Sequence, residues 1–595
     1  MQPRIVRPRM VGDAGEQAQV SMEQSPPSRA PGAERRTLYP ARGESRRRDV
    51  QGSLGPAIGA DSKEHSGVFP GRRSWDHIDT FIAEARLPSL RLFLFALVLN
   101  CALATHLFLR VEYIFVDSIA RTMHALYVFW GYGAPHLAAI GFVWMPLPTV
   151  VQLPLVLWKP LAQTGLAGGL QSALCMAVAF ALLDGILRIL RTSRRTRWAL
   201  LALFQLNPMI LMYGANGMSE AMLICVMLWM CYSFLRWCRC GQSRYVILLG
   251  CGAGSAVMTR YEGFGLVAAG AVAVTLVNLR HGASRARVGG ELLAYLAPPV
   301  YALLVWVQLN YSIMGDPLYF YRGAYSNLAQ IAFFPKELAV LTHNPVLTTL
   351  YVAERIVLMA PAYLPVVLLV TVAALLRLDA TAFGLLLLPA SLLAFGWLNQ
   401  FQGQSYGWFR FFIYAVPGLA IGIPLLTRPG LFSQKLSRQL VGTFLVLSIP
   451  GGLLTGIAML DPSIGREEFP AARAALTDTR VERSDAVEQR ILAYLKEHAG
   501  KRSVLLDDFS GLELIRMAGG TDLFVAGVDP DFQETLNNPH GKVDYILVPK
   551  PEGLGTLDAI NNRYYSIFMG SMSFARVEQD WGQWRLLRVV ASPGR

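Results

Sequence analysis

Apolar residues in this chain gather into long runs broken by short polar turns. The runs are Leu92–Leu109, Gly168–Leu190, Trp198–Tyr213, Ala221–Trp237, Tyr245–Met258, Phe264–Val277, Leu292–Leu309, Ile356–Leu376, Ala382–Leu398, Phe411–Leu426 and Val441–Leu460. A bilayer core about 30 Å thick takes about 20 helical residues to cross, so the shorter runs have soft boundaries. The pattern predicts an α-helical polytopic membrane protein with about eleven transmembrane helices. Met145–Trp158 is also apolar, but it is short and carries Pro146, Pro148 and Pro154. Proline removes a helical hydrogen bond and clashes with the preceding turn, so this segment is expected to lie in the interface without crossing. Upstream, Trp75, Ile78, Phe81, Ile82 and Ala85 share one helical face. They predict a short helix on the inner leaflet.

Charge fixes the expected orientation. Only 16% of the 595 residues are charged and 53% are hydrophobic, against about 25% charged in soluble domains. The net charge of +13 could suggest nucleic acid. Much of the excess, however, lies in residues 1–74 and in short loops between apolar runs, which membrane orientation accounts for. No nucleic-acid partner is expected. The loop clusters are Arg191–Arg197, Arg236–Arg244, Arg280–Arg287, Arg377 and Arg428–Arg438. If Met145–Trp158 does not cross, all of them share the cytoplasmic face with the amino terminus. Residues 1–74 then read as a disordered basic cytoplasmic tail. Residues 75–460 read as a transmembrane module with a first outer loop at 111–167, and residues 461–595 as an extracytoplasmic domain.

The carboxy-terminal region reads as a small α/β domain. Ser484 is a plausible N-cap for a helix through His498, and Ser503–Leu506, Tyr545–Val548 and Trp584–Val589 read as buried strands. Asp507, Asp508, Asp529 and Asp531 are better read as solvated strand-end carboxylates than as a metal site. The seven cysteines fall in or beside the apolar runs, so no disulfide framework is indicated. Cys238 and Cys240 are read as thiols on a cytoplasmic turn, not as a metal pair.

The candidate chemistry lies on the opposite face. Asp117 sits just past the first run with Arg121 one helical turn later, either as an ion pair steadying an interfacial helix or as a catalytic acid–base group. Glu112 competes in the same loop, or marks the end of the span. His136, in Gly-Ala-Pro-His, is either an ordinary hydrogen-bonded histidine or a substrate contact. Trp144 could stack on a sugar ring or anchor the interface. Glu220 opens a helix, where the dipole favours a carboxylate. Arg260 and Glu262, flanking Tyr261, interrupt an apolar run. A charge near the bilayer centre costs about 2.5–3.5 kcal/mol, so they should be paired or face water. A guanidinium fork also fits phosphate oxygens. Tyr406-Gly-Trp-Phe-Arg410 brings an aromatic run and a cation to the mouth of a span.

With these segments the chain resembles the GT-C superfamily of membrane glycosyltransferases, which take sugars from polyprenyl-phosphate donors. The resemblance covers roughly Leu90 to Leu460. It rests on the first outer loop with Asp117 and the Trp144-Met-Pro-Leu turn, on Ser219-Glu220, on Thr259-Arg-Tyr-Glu-Gly263 and on the run ending at Arg410. It implies inverting transfer of a sugar from a polyprenyl-phosphate donor to a hydroxyl of an acceptor glycan, lipid or protein outside the membrane. Asp117 or Glu112 would be the base, since the paired Asp-Glu often seen in the first loop of that family is missing. Arg260 and Arg410 would hold the departing phosphate. No nucleotide-binding glycine loop is visible, which agrees with a lipid-linked donor, and no cofactor or metal is implied. The rival class is a transporter or flippase of a lipid-linked saccharide. Such proteins often show internal repeats and charges near the midplane. No repeat is obvious here, and the charges lie at one face.

Overall fold

The computed structural model describes residues 89–133, 136–331, 336–479 and 486–590. The predicted tail, the surface helix from Trp75 to Ala85 and the cap at Ser484 lie outside the described residues.

The membrane part is helical. Its principal elements are α1 (Leu90–Thr105), α2 (Val116–Trp130), α3 (Leu147–Val156), α4 (Leu166–Ile189), α5 (Arg194–Gln205), α6 (Glu220–Cys240), α7 (Ser243–Thr259), α8 (Gly263–Arg280), α9 (Arg285–Met314), α10 (Pro345–Met359), α11 (Tyr363–Arg377), α12 (Ala380–Phe401), α13 (Ala415–Leu425) and α14 (Gln434–Met459). Among the described residues, seven helices are long and apolar enough to cross a membrane: α1 with its continuation to Val111, α4, α6, α8, α9, α12 and α14. The other four predicted runs are short or broken. The run predicted at Ile356–Leu376 is not one straight span, because α10 and α11 meet at 107°. Pro361 explains the break, since a proline drives the residue before it out of the helical region. Ala360 accordingly leaves the helical region, with φ −151° and ψ 82°. Trp198–Tyr213 is likewise split, into α5 and a short helix Pro208–Tyr213. The Asn207 side chain caps that second helix and also donates to Thr455 Oγ1 at 3.2 Å.

Four helices start on the basic loops with side-chain caps: Ser193, Ser284, Asp379 and Ser433 each accept a backbone N–H from the first turn. Such a cap satisfies a donor that the helix leaves open.

The first loop is built from α2 and α3. α1 closes through a π-helical turn, His106–Val111, and stops at Glu112, whose φ of 58° reverses the chain. Phe115 is then buried and α2 begins, with Asp117 in its first turn. α3 has ten residues. At 1.5 Å per residue it is about 15 Å long, half a bilayer core, which agrees with its predicted interfacial position. Thr122 Oγ1 on α2 donates to Gln152 Oε1 on α3 at 2.7 Å.

The carboxy-terminal region adds α15 (Phe469–Thr477), α16 (Ala486–His498), α17 (Asp508–Ala518) and a five-stranded sheet. Its strands are β1 (Val504–Leu506), β2 (Phe524–Ala526), β3 (Tyr545–Pro549), β4 (Ala575–Asp580) and β5 (Trp584–Val589), in the order β2-β1-β3-β5-β4. β1 runs parallel to β2 and β3, while β5 is antiparallel to β3 and β4. One sheet face and the helices α16 and α17 share a hydrophobic cluster with Ile119, Met123 and Leu126 of α2. Arg516 Nη1 donates to the Gln163 carbonyl at 2.6 Å. The sheet domain therefore stands on the first loop.

Candidate active site

Arg410 is the centre of the site. It follows a turn at Gly407, where φ is 63° and an added Cβ would lie 2.6 Å from the Tyr351 hydroxyl. Tyr406 stacks on Trp408 at 4.5 Å, and Trp408 in turn covers the Arg410 guanidinium at 4.1 Å. A 3₁₀ turn, Phe409–Phe412, then turns Arg410 inward until its side chain is 2% exposed. A cation taken out of water needs ionic partners. Each of its nitrogens faces a different carboxylate: Nη2 lies 3.2 Å from Asp117 Oδ2, Nε 3.4 Å from Glu220 Oε1, and Nη1 2.8 Å from Glu467 Oε1.

A second guanidinium adjoins the first. Arg260 ends α7 in an extended conformation. Its Nη1 donates to the same Glu220 Oε1 at 2.7 Å and to Ser219 Oγ at 3.0 Å, and its Nη2 reaches Glu262 Oε1 at 2.7 Å. Glu220, fully buried at the start of α6, thus bridges two arginines. Arg121 adds a third cation, stacked over Trp144 at 5.1 Å and donating to the Asp117 carbonyl. The i,i+4 ion pair of Asp117 with Arg121, one of the two readings of the sequence, is not formed; Asp117 pairs with Arg410 instead.

These groups open onto a cavity of about 100 Å³ lined by Asp117, Arg121, Trp144, Arg260, Tyr261, Glu262, Tyr406 and Arg410. Asp117 is a quarter exposed, so one carboxylate oxygen can meet a ligand. An adjoining cavity of about 210 Å³ shares Tyr261 and Asn327 with the first and is walled by Phe264, Phe320, Tyr321 and Phe395. A charged chamber beside an aromatic one suits an amphiphile with an anionic head.

Electrostatics splits the acids. Burial pushes the Asp117 carboxyl up, but the charges of Arg410, Arg121 and Arg260 outweigh it and hold it below its ordinary 3.8. Burial pushes Glu467 up as well. There Arg410 opposes the shift while Asp117, Glu468 and Glu220 add to it, and the carboxyl is displaced to about 8.

Three predicted residues lie outside the cavity wall: Glu220, buried behind it between the two arginines, Glu112 and His136. Glu112 is the left-handed residue that ends α1. His136 donates its backbone N–H to Val128 at 3.1 Å, and its ring nitrogens are buried without a hydrogen-bond partner among the described residues. Sequence reasoning missed Glu467 and Glu468, Tyr213, which donates to Glu468 Oε1 at 2.7 Å, and Asn327 and Gln330 of the cavity wall. Paired acids just past the last apolar run, in Arg466-Glu-Glu-Phe469, were the available signal.

Residues 161–307 match the family described as dolichyl-phosphate-mannose-protein mannosyltransferase. The matched stretch takes in Glu220, Arg260, Tyr261 and Glu262, while Asp117 and Arg410 lie beyond its ends. It bears out the resemblance to GT-C glycosyltransferases and gives no support to a transporter. No curated protein matches the chain. The chain is similar to ArnT from Cupriavidus metallidurans bound to undecaprenyl phosphate, at 12% identity and TM-score 0.46, covering 84% of this chain and 99% of that one. It is also similar to the archaeal oligosaccharyltransferase AglB from Archaeoglobus fulgidus in complex with an inhibitory peptide and a dolichol-phosphate. That match has 12% identity and TM-score 0.39, covering 77% of this chain and 69% of that one.

Proposed function

We propose that this membrane glycosyltransferase moves one sugar from a polyprenyl-phosphate donor to an acceptor hydroxyl at the outer face, by inverting displacement. The observation that carries this reading is the meeting of Asp117, Arg260 and Arg410, from three distant parts of the chain, around one cavity.

In this mechanism the donor phosphate sits among the three guanidiniums and its lipid tail leaves past the aromatic chamber. Asp117 accepts the proton of the acceptor hydroxyl as that oxygen attacks the anomeric carbon. The bond from that carbon to the phosphate oxygen breaks with inversion. The departing phosphate gains a negative charge during this step, and fixed guanidiniums stabilise that gain more than the ground state. The same cations leave Asp117 weakly basic in the empty site. A bound phosphate draws on them and loosens their hold on Asp117, so donor binding itself makes the carboxylate a better base.

The ends of the helices support the outward placement. α6, α8 and α13 start at the site and finish at basic loops, whereas α7, α12 and α14 start at basic loops and finish towards the site. Basic loops mark the cytoplasmic face, which leaves the site on the other. Purified protein offered a panel of polyprenyl-phosphate sugars with mixed acceptors should release free polyprenyl phosphate from at least one. Release from none, by well-folded protein, would overturn this function.

A further inference from the structure

The mechanism above gives Glu467 no task. Glu467 comes from the segment that follows α14, outside the residues from which the resemblance was drawn. Its Oε1 takes one nitrogen of the guanidinium whose other side holds Asp117. We propose that Glu467 is a positioning residue that shares Arg410 with Asp117 and sets how much of that guanidinium a donor phosphate can use. This rests on the function proposed above.

Around the cavity stand three cations, Arg121, Arg260 and Arg410, and five acids, Asp117, Glu220, Glu262, Glu467 and Glu468. A buried cluster with acids in excess keeps a proton on the acid that is held worst. Asp117 and Glu262 are held well, because arginine charges outweigh their burial and lower both. Glu467 is held badly. Its Oε2 is buried with no hydrogen-bond partner among the described residues, as are those of Glu220 and Glu468; Glu468, Asp117 and Glu220 all repel its charge, and burial raises Glu468 as well, whose other oxygen is held by Tyr213. Of its other titratable neighbours, Tyr113 donates to its backbone carbonyl at 3.4 Å and Tyr213 donates to Glu468.

At neutral pH, then, Glu467 keeps its proton, and its bare Oε1 accepts from Arg410 as a neutral group. It fixes the direction of the guanidinium without neutralising it, so the full charge serves Asp117 and the phosphate. As pH rises through about 8 the proton leaves. The new carboxylate then competes with the donor phosphate for Arg410. One unit above that point only about a tenth of the molecules hold the proton.

The test compares wild type with Glu467→Gln and Glu467→Ala, reading undecaprenyl phosphate binding and donor-dependent transfer from pH 7 to 9. The ionisation of the lipid phosphate is common to all three proteins, so differences between them report on residue 467. The expected result is a donor KM and a lipid-phosphate Kd that weaken about tenfold by pH 9 in wild type and stay level in Glu467→Gln. Glutamine keeps the acceptor oxygen and cannot ionise. Glu467→Ala should lower kcat at every pH, because Arg410 loses the acceptor that aims it. A wild-type-like pH dependence in Glu467→Gln overturns the inference. So does a Glu467→Ala protein with wild-type kcat. The binding measurement stands without turnover: wild type that binds undecaprenyl phosphate with the expected pH dependence but transfers no sugar supports the role of Glu467 and refutes the enzymatic reading.

Discussion

Asp117 and Arg410 depend on each other unequally, and substitutions should show it. Arg410 is fully buried and answers to three acidic side chains, Asp117, Glu220 and Glu467. Removing one partner of a buried ionic group typically costs about 3–5 kcal/mol, because the others are left unpaired. Arg410→Gln should therefore lower the melting temperature in detergent as well as abolish transfer. Arg410→Lys should recover part of the stability and little of the activity, since an ammonium cannot serve three directions in a plane. Asp117 is a quarter exposed, so Asp117→Asn should melt close to wild type. The pH dependence has a definite sign. The Asp117 carboxyl is lowered below 3.8, so it stays ionised from neutral pH down to that range and its contribution is lost only below. At limiting donor, where kcat/KM reports the empty site, transfer should consequently not fall between pH 7 and 5 through Asp117, and an acid limb in kcat/KM with a midpoint near 6 that disappears in Asp117→Asn would contradict this. Arg260, Glu262 and Arg410 were legible in the sequence because charge beside an apolar run is costly and needs a reason. Glu467 was not, because it sits in a stretch that reads as the start of a separate domain.

The turn at Gly217 fixes where α2, and hence Asp117, can sit. Its φ is 79°, and an added Cβ would fall 2.0 Å from Ser118 Oγ on α2. Gly217→Ala should therefore cost more than the about 1–3 kcal/mol of a strained backbone residue and displace Asp117. Gly241→Ala, at φ 65° with open space around it, should cost the backbone strain alone. Melting curves of the two variants compare the terms directly, and equal losses would show that the Ser118 contact is unimportant. The long apolar helices and the shortness of α3 were legible from run length and proline content. The break at Pro361 was missed because the hydropathy of the run continues across it. β2 and β4 were missed for opposite reasons: β2 has three residues, too few for a pattern, and β4 is an edge strand with mostly exposed side chains.

Across the molecule, basic loops and the candidate site occupy opposite ends of the same helices, and the sheet domain stands over the first loop at the site end. The α/β character of that domain could be read from its apolar segments. Its seating on α2 could not, because the contact joins residues hundreds of positions apart. Orientation is open to labelling in intact cells with a membrane-impermeant maleimide. Cys240 is exposed at the basic end and should be protected, whereas a Tyr565→Cys variant, at a position 94% exposed on the sheet domain, should react. Labelling of Cys240 in sealed cells would reverse the topology. The most direct test of the whole account is single-turnover release of free polyprenyl phosphate by wild type and Asp117→Asn in the same vesicles, with a saturating lipid-phosphate sugar. Loss of a positioned general base predicts release about 10²–10⁴-fold slower in the variant, with donor binding retained. Equal rates in the two proteins would contradict it.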